Sequence, residues 1–263
     1  MGRILFDVEY LPTLIYLCPL VFLAGFVDSA AGGGGLISIP AYMLTGMPTH
    51  FAFGTNKLSA ALGTFVSTGR FLRQGAIDVR TATISAISAL IGSAVGSRLI
   101  LSLDDRALKL FLVISLPCVA ILLLLRKDKI HENERAHMSV QRTVVLATVI
   151  GLVIGLYDGM IGPGTGTFAA IAFNTFMKYD LKIATGNAKV LNLASNIASV
   201  VTFAFAGSVF YVIALPAAVF GIAGNFLGAG FALKKGASFI RPMLFIVLGL
   251  LITTMIYDFI TLR

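Results

Sequence analysis

Long apolar runs separated by short polar breaks dominate this 263-residue sequence. The pattern predicts five apolar helices in each half of the chain. They cover residues 11–30, 33–47, 54–73, 79–101 and 106–126, then 143–159, 164–177, 186–206, 209–233 and 240–261. Most approach the roughly 20 residues that a helix needs to cross ~30 Å of hydrocarbon. The runs at 33–47 and 164–177 are shorter, which favours half-helices or the second arms of helical hairpins.

Composition supports a membrane environment for these helices. The chain is 57% hydrophobic and 12% charged, whereas soluble domains are roughly 45–50% apolar and about 25% charged. Short strands of alternating polarity, typical of a membrane β-barrel, are not evident in the sequence. We therefore predict an all-α polytopic membrane protein. The net charge of +8 comes from basic residues in short loops, which favours contact with anionic lipid over nucleic acid.

The same motifs occur in both halves of the chain. Residues 25–36 read GFVDSAAGGGGL and residues 155–166 read GLYDGMIGPGTG. Further on, GTNK at 54–57 matches GNAK at 186–189, and an offset of 132 residues then holds through Gly96 and Gly228. The sequence therefore predicts two homologous repeats, residues 1–126 and 142–263, joined by a cytoplasmic linker at 127–141 within one transmembrane domain.

Equivalent loops of the two repeats differ in charge. Residues 70–80 carry three arginines, whereas the equivalent residues 202–211 carry no basic side chain. Residues 234–241 are basic, whereas the equivalent residues 101–106 contain two aspartates beside one arginine. By the positive-inside rule, equivalent loops then face opposite sides of the membrane. We expect inverted repeats, each with about three full spans plus one broken-helix or re-entrant hairpin, and both termini outside.

The glycine motifs predict interrupted helices. Irregular backbone at membrane depth persists only where it is buried in protein or lines a cavity, and the N-terminus of a new helix presents unpaired N–H groups and partial positive charge. Two such ends brought together would bind an anion. The alternative is close helix packing through small residues. The candidate anion ligands in the two breaks are Gly33, Gly34, Gly35, Gly164, Thr165 and Gly166.

Matched charged residues flank these breaks. Asp28 and Asp158 lie in apolar surroundings, where a carboxylate is costly and usually functional. They are candidates for capping the following half-helix or for proton coupling. Lys57 and Lys189 either bind an anion in the cavity or extend towards the interface.

Polar amides in apolar segments complete the candidate site. Asn192 and Asn196 are four residues apart, so they share a helix face with Lys189 that we expect to line a cavity. Asn56, Asn187 and Asn192 are the amides assigned to substrate binding, Asn225 is a further polar amide in an apolar segment, and Ser59 is a weaker candidate. Cys18 and Cys118 are compatible with buried apolar positions and lack metal-ligand spacing. The sequence assigns no catalytic residue, metal ligand or cofactor.

These motifs resemble those of the TauE/SafE sulfite exporter family, also called TSUP. The resemblance lies in GGGGLISIP at 32–40, AFGTNKL at 52–58, GPGTGTF at 162–168 and ATGNAKV at 184–190, and it extends over nearly the whole chain. It implies a multi-pass transporter of the bacterial inner (plasma) membrane, which carries sulfite or related anions such as small sulfonates or thiosulfate, with proton coupling in some members. The second copy departs from the first in reading GNAK for GTNK.

The leading hypothesis is a secondary transporter that binds a small sulfur-containing anion between the two glycine motifs. Alternating access would come from rocking one repeat against the other. The expected partners are the anion and membrane lipid, without nucleic acid, and homo-oligomerisation is left open. Two alternatives remain: a passive anion channel that uses the same helix ends, and an intramembrane aspartyl protease with Asp28 and Asp158 as its catalytic pair.

Overall fold

The computed structural model describes residues 10–125 and 138–235. These residues form nine helices joined by short turns. The helices are α1 (Tyr10–Ala31), α2 (Gly35–Met43), α3 (Thr49–Arg73), α4 (Val79–Leu101), α5 (Asp105–Leu125), α6 (Val140–Met160), α7 (Thr165–Met177), α8 (Leu181–Phe205) and α9 (Tyr211–Lys235). The predicted helix at 240–261 and most of the predicted linker at 127–141 lie outside the described residues.

The predicted boundaries of α3 and α8 are wrong at their N-terminal ends. The sequence places these starts at the glycines of residues 54 and 186, whereas the helices begin at Thr49 and Leu181. The side chain of Asp180 caps α8 by accepting a hydrogen bond from the backbone N–H of Ile183 at 3.0 Å. The two glycines lie inside the helices, so their small size serves packing and not a helix break.

The prediction of an α-helical membrane protein is confirmed. Helices α1, α4, α6, α8 and α9 are long and apolar enough to cross a membrane. Large apolar side chains face outward, among them Ile15 (69% exposed), Phe65 (66%) and Val219 (64%), as lipid contact requires. With 9 and 13 residues, α2 and α7 extend about 14 and about 20 Å at 1.5 Å per residue, less than the hydrocarbon thickness.

The two halves exchange helices. Helix α1 packs on α9, and α6 packs on α4, so the first helix of each half contacts the fourth helix of the other. Glycines bring the backbones together: a Cβ at Gly224 would lie 2.0 Å from the Phe22 carbonyl oxygen, and one at Gly228 would lie 2.2 Å from that of Phe26. The residue numbers of the contacting pairs increase together along both helices, so α1 and α9 run parallel. Each half therefore depends on the other for its packing.

The third helices of the two halves cross at the centre. Phe53 stacks on Phe203, with ring centroids 6.4 Å apart, and Thr68 donates a hydrogen bond to the Lys189 carbonyl at 3.2 Å. Early residues of α3 thus contact late residues of α8 and the reverse, which makes these equivalent helices antiparallel. The short helix α2 folds back along α1, since the Tyr16 hydroxyl donates to the Leu44 carbonyl at 3.3 Å.

The end of α7 contains a strained residue. Lys178 has a φ of 58°, in the left-handed region, whereas Gly46, 132 residues earlier at the equivalent position, has a φ of 78°. A side chain costs roughly 1–2 kcal/mol in this conformation. We expect Lys178→Gly to raise the free energy of unfolding by about 0.5–1 kcal/mol after the greater flexibility of glycine in the unfolded chain is counted. Thermal unfolding in detergent would measure the change.

A matched control is Lys182→Gly, in the first turn of α8. Glycine in a helix is less favourable than other residues by several tenths of a kcal/mol, so this variant should melt at a lower temperature. A lower melting temperature for Lys178→Gly as well would contradict the prediction.

Candidate functional site

The two glycine breaks meet inside the protein. Gly32, Gly162 and Gly164 have φ values of 78°, 86° and 80°, which glycine adopts readily and other residues do not. A Cβ at Gly32 would lie 2.4 Å from the backbone nitrogen of Thr167, so the first break rests directly on the start of α7. The Thr167 hydroxyl donates to the carbonyl of Ala31, the last residue of α1. The two helix breaks that the sequence predicts are therefore in direct contact with each other.

Each aspartate before a break forms an ion pair with the lysine of the other half. Lys57 Nζ lies 2.8 Å from Asp158 Oδ2, and Lys189 Nζ lies 3.0 Å from Asp28 Oδ2. Each ammonium also donates to the backbone carbonyl of the same aspartate. The first pair is enclosed, with side-chain exposures of 3% and 2%, whereas Asp28 keeps 20% of its side chain exposed. Both lysines are therefore interior residues held by a charged partner.

Side-chain donors surround the Asp158 carboxylate. Besides Lys57, it accepts hydrogen bonds from the Thr165 hydroxyl at 2.7 Å and from Asn192 Nδ2 at 3.4 Å. Asn196 Nδ2 in turn donates to Asn192 Oδ1 at 3.3 Å. In the described part of the chain, the donors to Asp28 and Asp158 are side chains and none is a backbone N–H of α2 or α7. The network holds the carboxylates next to the breaks.

A cavity lies beside these ion pairs, bounded mainly by α1, α2 and α3, with further residues from α6, α8 and α9. Its empty volume is about 520 Å³, including the part open to solvent. Lys57, Asp28 and Asp158 reach its wall, so each ion pair contributes at least one member to the cavity lining. Four buried amides also line it. They are Asn56, Asn192, Asn196 and Asn225.

The structure brings part of the predicted site to the cavity. Among the predicted residues, those at the wall are Asp28, Gly34, Gly35, Asn56, Lys57, Asp158 and Asn192. Asn192 and Asn196 share the wall, as their spacing predicts. The remaining predicted residues lie behind or beside it. These are Gly33, Gly164, Thr165, Gly166, Asn187 and Lys189, of which Thr165 and Lys189 contact the two aspartates.

Asn187 has a different position from that expected of a ligand. Its Oδ1 accepts a hydrogen bond from the backbone N–H of Asp78 at 2.9 Å, in the turn between α3 and α4. The equivalent Thr55 accepts from the backbone N–H of Phe210 at 3.0 Å, in the turn between α8 and α9. These residues fasten each third helix to a turn of the other half. Asn187 therefore belongs to the frame around the site.

The glycines before these residues serve the same turns. A Cβ at Gly54 would lie 2.1 Å from the Ser208 carbonyl oxygen, and one at Gly186 would lie 1.7 Å from that of Ala76. Only glycine permits so close an approach. In both GTNK and GNAK, the first two residues fix a turn of the opposite half and the lysine binds its aspartate.

Residues that line the cavity differ in type from their equivalents in the other repeat. Ser59 and Asn56 line it, whereas the equivalent residues 132 positions later are Leu191 and Ala188, both fully buried. On α9, Asn225 lines the cavity; the equivalent Ser93 on α4 donates instead to the Ser195 carbonyl at 2.6 Å. The sequence itself therefore makes the two halves unequal around the breaks.

Four cavity-lining residues are absent from the set that the sequence assigns to substrate binding: Asn225, Ser38, Ser59 and Thr64. The sequence marks Asn225 as a polar amide in an apolar segment and Ser59 as a weaker candidate. Ser38 and Thr64 gave no signal, since such residues are common at close helix contacts.

The described residues show no metal site and no disulfide. Within them, no group of three or more His, Cys, Asp or Glu side chains is placed to hold a metal ion. Cys18 is buried and Cys118 is exposed, and both are free thiols. The expectation that both cysteines are buried is thus wrong for Cys118.

Comparisons with known proteins agree with this architecture. A family model described as sulfite exporter TauE/SafE matches residues 17–255. A probable membrane transporter protein of Haemophilus influenzae is 35% identical over 237 residues, which cover 90% of this chain and 92% of the relative. The probable membrane transporter protein YfcA of Escherichia coli is 34% identical over 239 residues, covering 91% and 88%. No solved structure matches the chain. Since the family match spans most of the sequence, this chain belongs to the TauE/SafE sulfite exporter family of membrane transporters.

Proposed function

We propose that this protein is a proton-coupled secondary transporter of small sulfur-containing anions, of which sulfite is the first candidate. The observation that carries the proposal is the ion pair between Lys57 and Asp158, 2.8 Å long, at the wall of a cavity beside two interrupted helices. Interrupted helices with charged residues beside a central cavity are typical of substrate sites in secondary transporters. The family description supplies the substrate class.

Charge balance supports coupling to protons. Two lysines and two aspartates form the pairs, so the centre of the site has a net charge of zero. A monoanion arriving there meets two carboxylates and would leave the site with an uncompensated negative charge. Protonation of one aspartate restores neutrality and frees its lysine to bind the anion. The arrangement thus favours movement of one proton with each monovalent anion.

Asp28 is the better placed of the two carboxylates to exchange that proton. It lines the cavity and keeps 20% of its side chain exposed, compared with 2% for Asp158. We assign proton exchange in this conformation to Asp28 and anion binding to Lys57, with Asn56 and Asn192 as neighbouring polar ligands.

The helix packing favours two moving bodies that differ from the two repeats. Because the glycine contacts of α1 with α9 and of α4 with α6 leave no space between the backbones, each of these pairs should move as a unit. A rocking motion would then separate a body containing α1 and α9 from one containing α4 and α6. Alternating access would thus move helices exchanged between repeats, with α3 and α8 at the pivot.

An inverted arrangement in the bacterial inner membrane is part of this proposal. Its support is the antiparallel crossing of the equivalent helices α3 and α8. The basic turn after α3 also lies at the same end as the end of α9, since Phe71 and Ala76 pack on Ala229. By the positive-inside rule this end would face the cytoplasm, which leaves the start of α1 outside, because α1 runs parallel to α9.

Flux into proteoliposomes tests the proposal. We expect saturable sulfite uptake that an inward proton gradient drives to accumulation, with competition by thiosulfate and sulfoacetate and little by sulfate or chloride. Asp28→Asn keeps the hydrogen-bonding shape but cannot exchange a proton, so it should retain sulfite counterflow and lose proton-driven accumulation. Asp104→Asn, an exposed residue in the turn before α5, is the matched control and should behave as the wild type.

The same assay addresses the alternatives. If no sulfur-containing anion moves or competes, the anion-transport proposal fails. Flux that does not saturate and shows no counterflow would support a passive channel instead. The protease hypothesis receives no support from the geometry, because each aspartate is paired with a lysine and the two do not share a proton as a catalytic pair does. The family match is to transporters and not to enzymes.

A further inference from the structure

An unpartnered amide oxygen marks the junction of α1, α3 and α9. Asn225 on α9 lines the cavity and is only 3% exposed. Its Nδ2 donates to the Gly221 carbonyl at 3.0 Å, while its Oδ1 is buried and has no hydrogen-bond partner within residues 10–125 and 138–235. The Gly221 carbonyl fixes the orientation of the amide, since a flipped amide would set oxygen against oxygen. Asn225 is therefore a residue of the cavity wall that carries an unpaired, buried acceptor.

Glycines on both neighbouring helices accommodate this amide. A Cβ at Gly25 on α1 would lie 2.8 Å from Asn225 Nδ2, and one at Gly63 on α3 would lie 2.3 Å from it. Two helices thus lack side chains where the amide enters. An unpaired buried acceptor lowers the stability of the folded protein by about 1–3 kcal/mol. A side chain that two helices accommodate despite this cost is expected to have a function.

A second acceptor of the same kind lies in the same wall. Asn56 lines the cavity at 4% exposure, and its Oδ1 is also buried, with no hydrogen-bond partner in the part of the chain that the structure describes. The position equivalent to Asn56 holds Ala188, which has no polar side chain, and the position equivalent to Asn225 holds Ser93, whose hydroxyl donates to the Ser195 carbonyl. The equivalent helix positions of the opposite repeat therefore lack these unmet acceptors.

We propose that, among small sulfonates, the cavity prefers those that also carry a hydrogen-bond donor, and that Asn225 and Asn56 determine this preference by accepting from that donor. The inference rests on the proposed function, in which Lys57 binds the anionic group. The ligand class is a small sulfonate or oxyanion with an O–H or N–H group at the end remote from Lys57. Binding such a ligand pairs the buried oxygens, whereas an aprotic anion of the same size leaves them unpaired.

Two sulfonates of nearly equal shape test this specificity. In 2-hydroxyethanesulfonate a hydroxyl occupies the position of the terminal methyl of propane-1-sulfonate. The full-length protein in detergent should bind the hydroxysulfonate at least about tenfold more tightly, measured by ligand-induced thermal stabilisation and by competition with sulfite uptake. Equal affinities in the wild type would overturn the inference.

Variants identify the residues that accept a hydrogen bond from the donor group of the ligand. Asn225→Ser introduces the residue type of the equivalent Ser93 and should reduce the preference to about twofold while propane-1-sulfonate still binds. Asn56→Ala gives a second, independent measurement if Asn225→Ser folds poorly. Asn174→Ser is the control, since Asn174 is a buried amide that donates to the Tyr179 carbonyl and does not line the cavity; it should keep the wild-type ratio.

The outcomes separate this inference from the proposed function. If sulfite is transported but both sulfonates compete equally, the specificity inference fails and the transporter proposal remains. A preference that survives in both Asn225→Ser and Asn56→Ala would overturn the assignment to these amides. If neither sulfite nor the sulfonates bind the wild-type protein, both proposals fail together.

Discussion

A Lys57→Met variant is expected to lose sulfite binding and to unfold at a lower temperature than the wild type. Methionine approximates the length of lysine without its charge, so the change leaves the Asp158 carboxylate, 2% exposed, without its cation. Removing one partner of a buried ion pair costs about 3–5 kcal/mol. The variant also removes the lysine that lines the cavity. Thermal unfolding in detergent, with and without sulfite, measures both effects.

The double variant Lys57→Met/Asp158→Asn separates stability from binding. With both charges gone, the buried carboxylate no longer needs a cation, so most of the lost stability should return. Sulfite binding should not return, because its cation is still absent. Sulfite binding by the double variant would show that Lys57 does not contact the anion, and an unchanged melting temperature for Lys57→Met would show that the pair contributes nothing to stability.

Lys189→Met provides the matched comparison. Lys189 also forms a buried pair with an aspartate of the other half, yet it does not line the cavity. The variant should lose stability and retain more sulfite binding than Lys57→Met. A similar loss of binding in both variants would place the anion between the two lysines and not at the Lys57 side alone.

Local patterns predicted the interrupted helices well, because the cause is local. A run of glycines inside an apolar segment removes the side chains that would continue the helix, and the backbone of Gly32 and Gly162 adopts the left-handed conformation that glycine permits. The half-helix nature of α2 and α7 followed from their length alone. The same reasoning misplaced the starts of α3 and α8 at Gly54 and Gly186. A glycine that contacts a distant turn cannot be distinguished in the sequence from a glycine that breaks a helix.

The partner of each charged residue could not be predicted from one sequence. Asp28 and Lys57 occupy one repeat, and the repeat pattern shows only that Asp158 and Lys189 are their equivalents. Pairing across the repeats follows from the exchange of α1 and α6 between the halves, which no periodicity within a helix records. The offset between repeats nevertheless indicates that whatever pairs with Asp28 has an equivalent that pairs with Asp158.

Two asparagines illustrate the limit for the site itself. Asn187 follows a glycine in a motif and was assigned to substrate binding, yet it accepts a hydrogen bond from the Asp78 backbone. Asn225 belongs to no motif and lines the cavity. Both are buried amides in apolar helices, so composition does not separate them. Only the position of the neighbouring helices decides which amide reaches the cavity and which meets a turn.

A Gly32→Ala variant is expected to prevent assembly of the folded protein, or to leave it without transport activity. Gly32 has a φ of 78°, so alanine there costs roughly 1–2 kcal/mol in backbone strain. Its Cβ would also lie 2.4 Å from the Thr167 nitrogen and 2.7 Å from the Gly166 carbonyl carbon. Because these are backbone atoms of the second break, the steric clash can be relieved only if the two breaks move apart. Size-exclusion profiles and melting temperatures in detergent measure the loss.

Two matched variants divide the effect into its causes. Gly46 has the same φ of 78° with nothing within 4 Å of an added Cβ, so Gly46→Ala tests backbone strain alone and should cost about 1–2 kcal/mol. Gly166 lies within α7, and a Cβ there would lie 3.0 Å from the Gly32 Cα, so Gly166→Ala tests the contact without the strain. Each should remain folded and melt below the wild type. If Gly32→Ala were no more harmful than Gly46→Ala, the two breaks could not be in contact, and an anion site that both breaks build would have no basis.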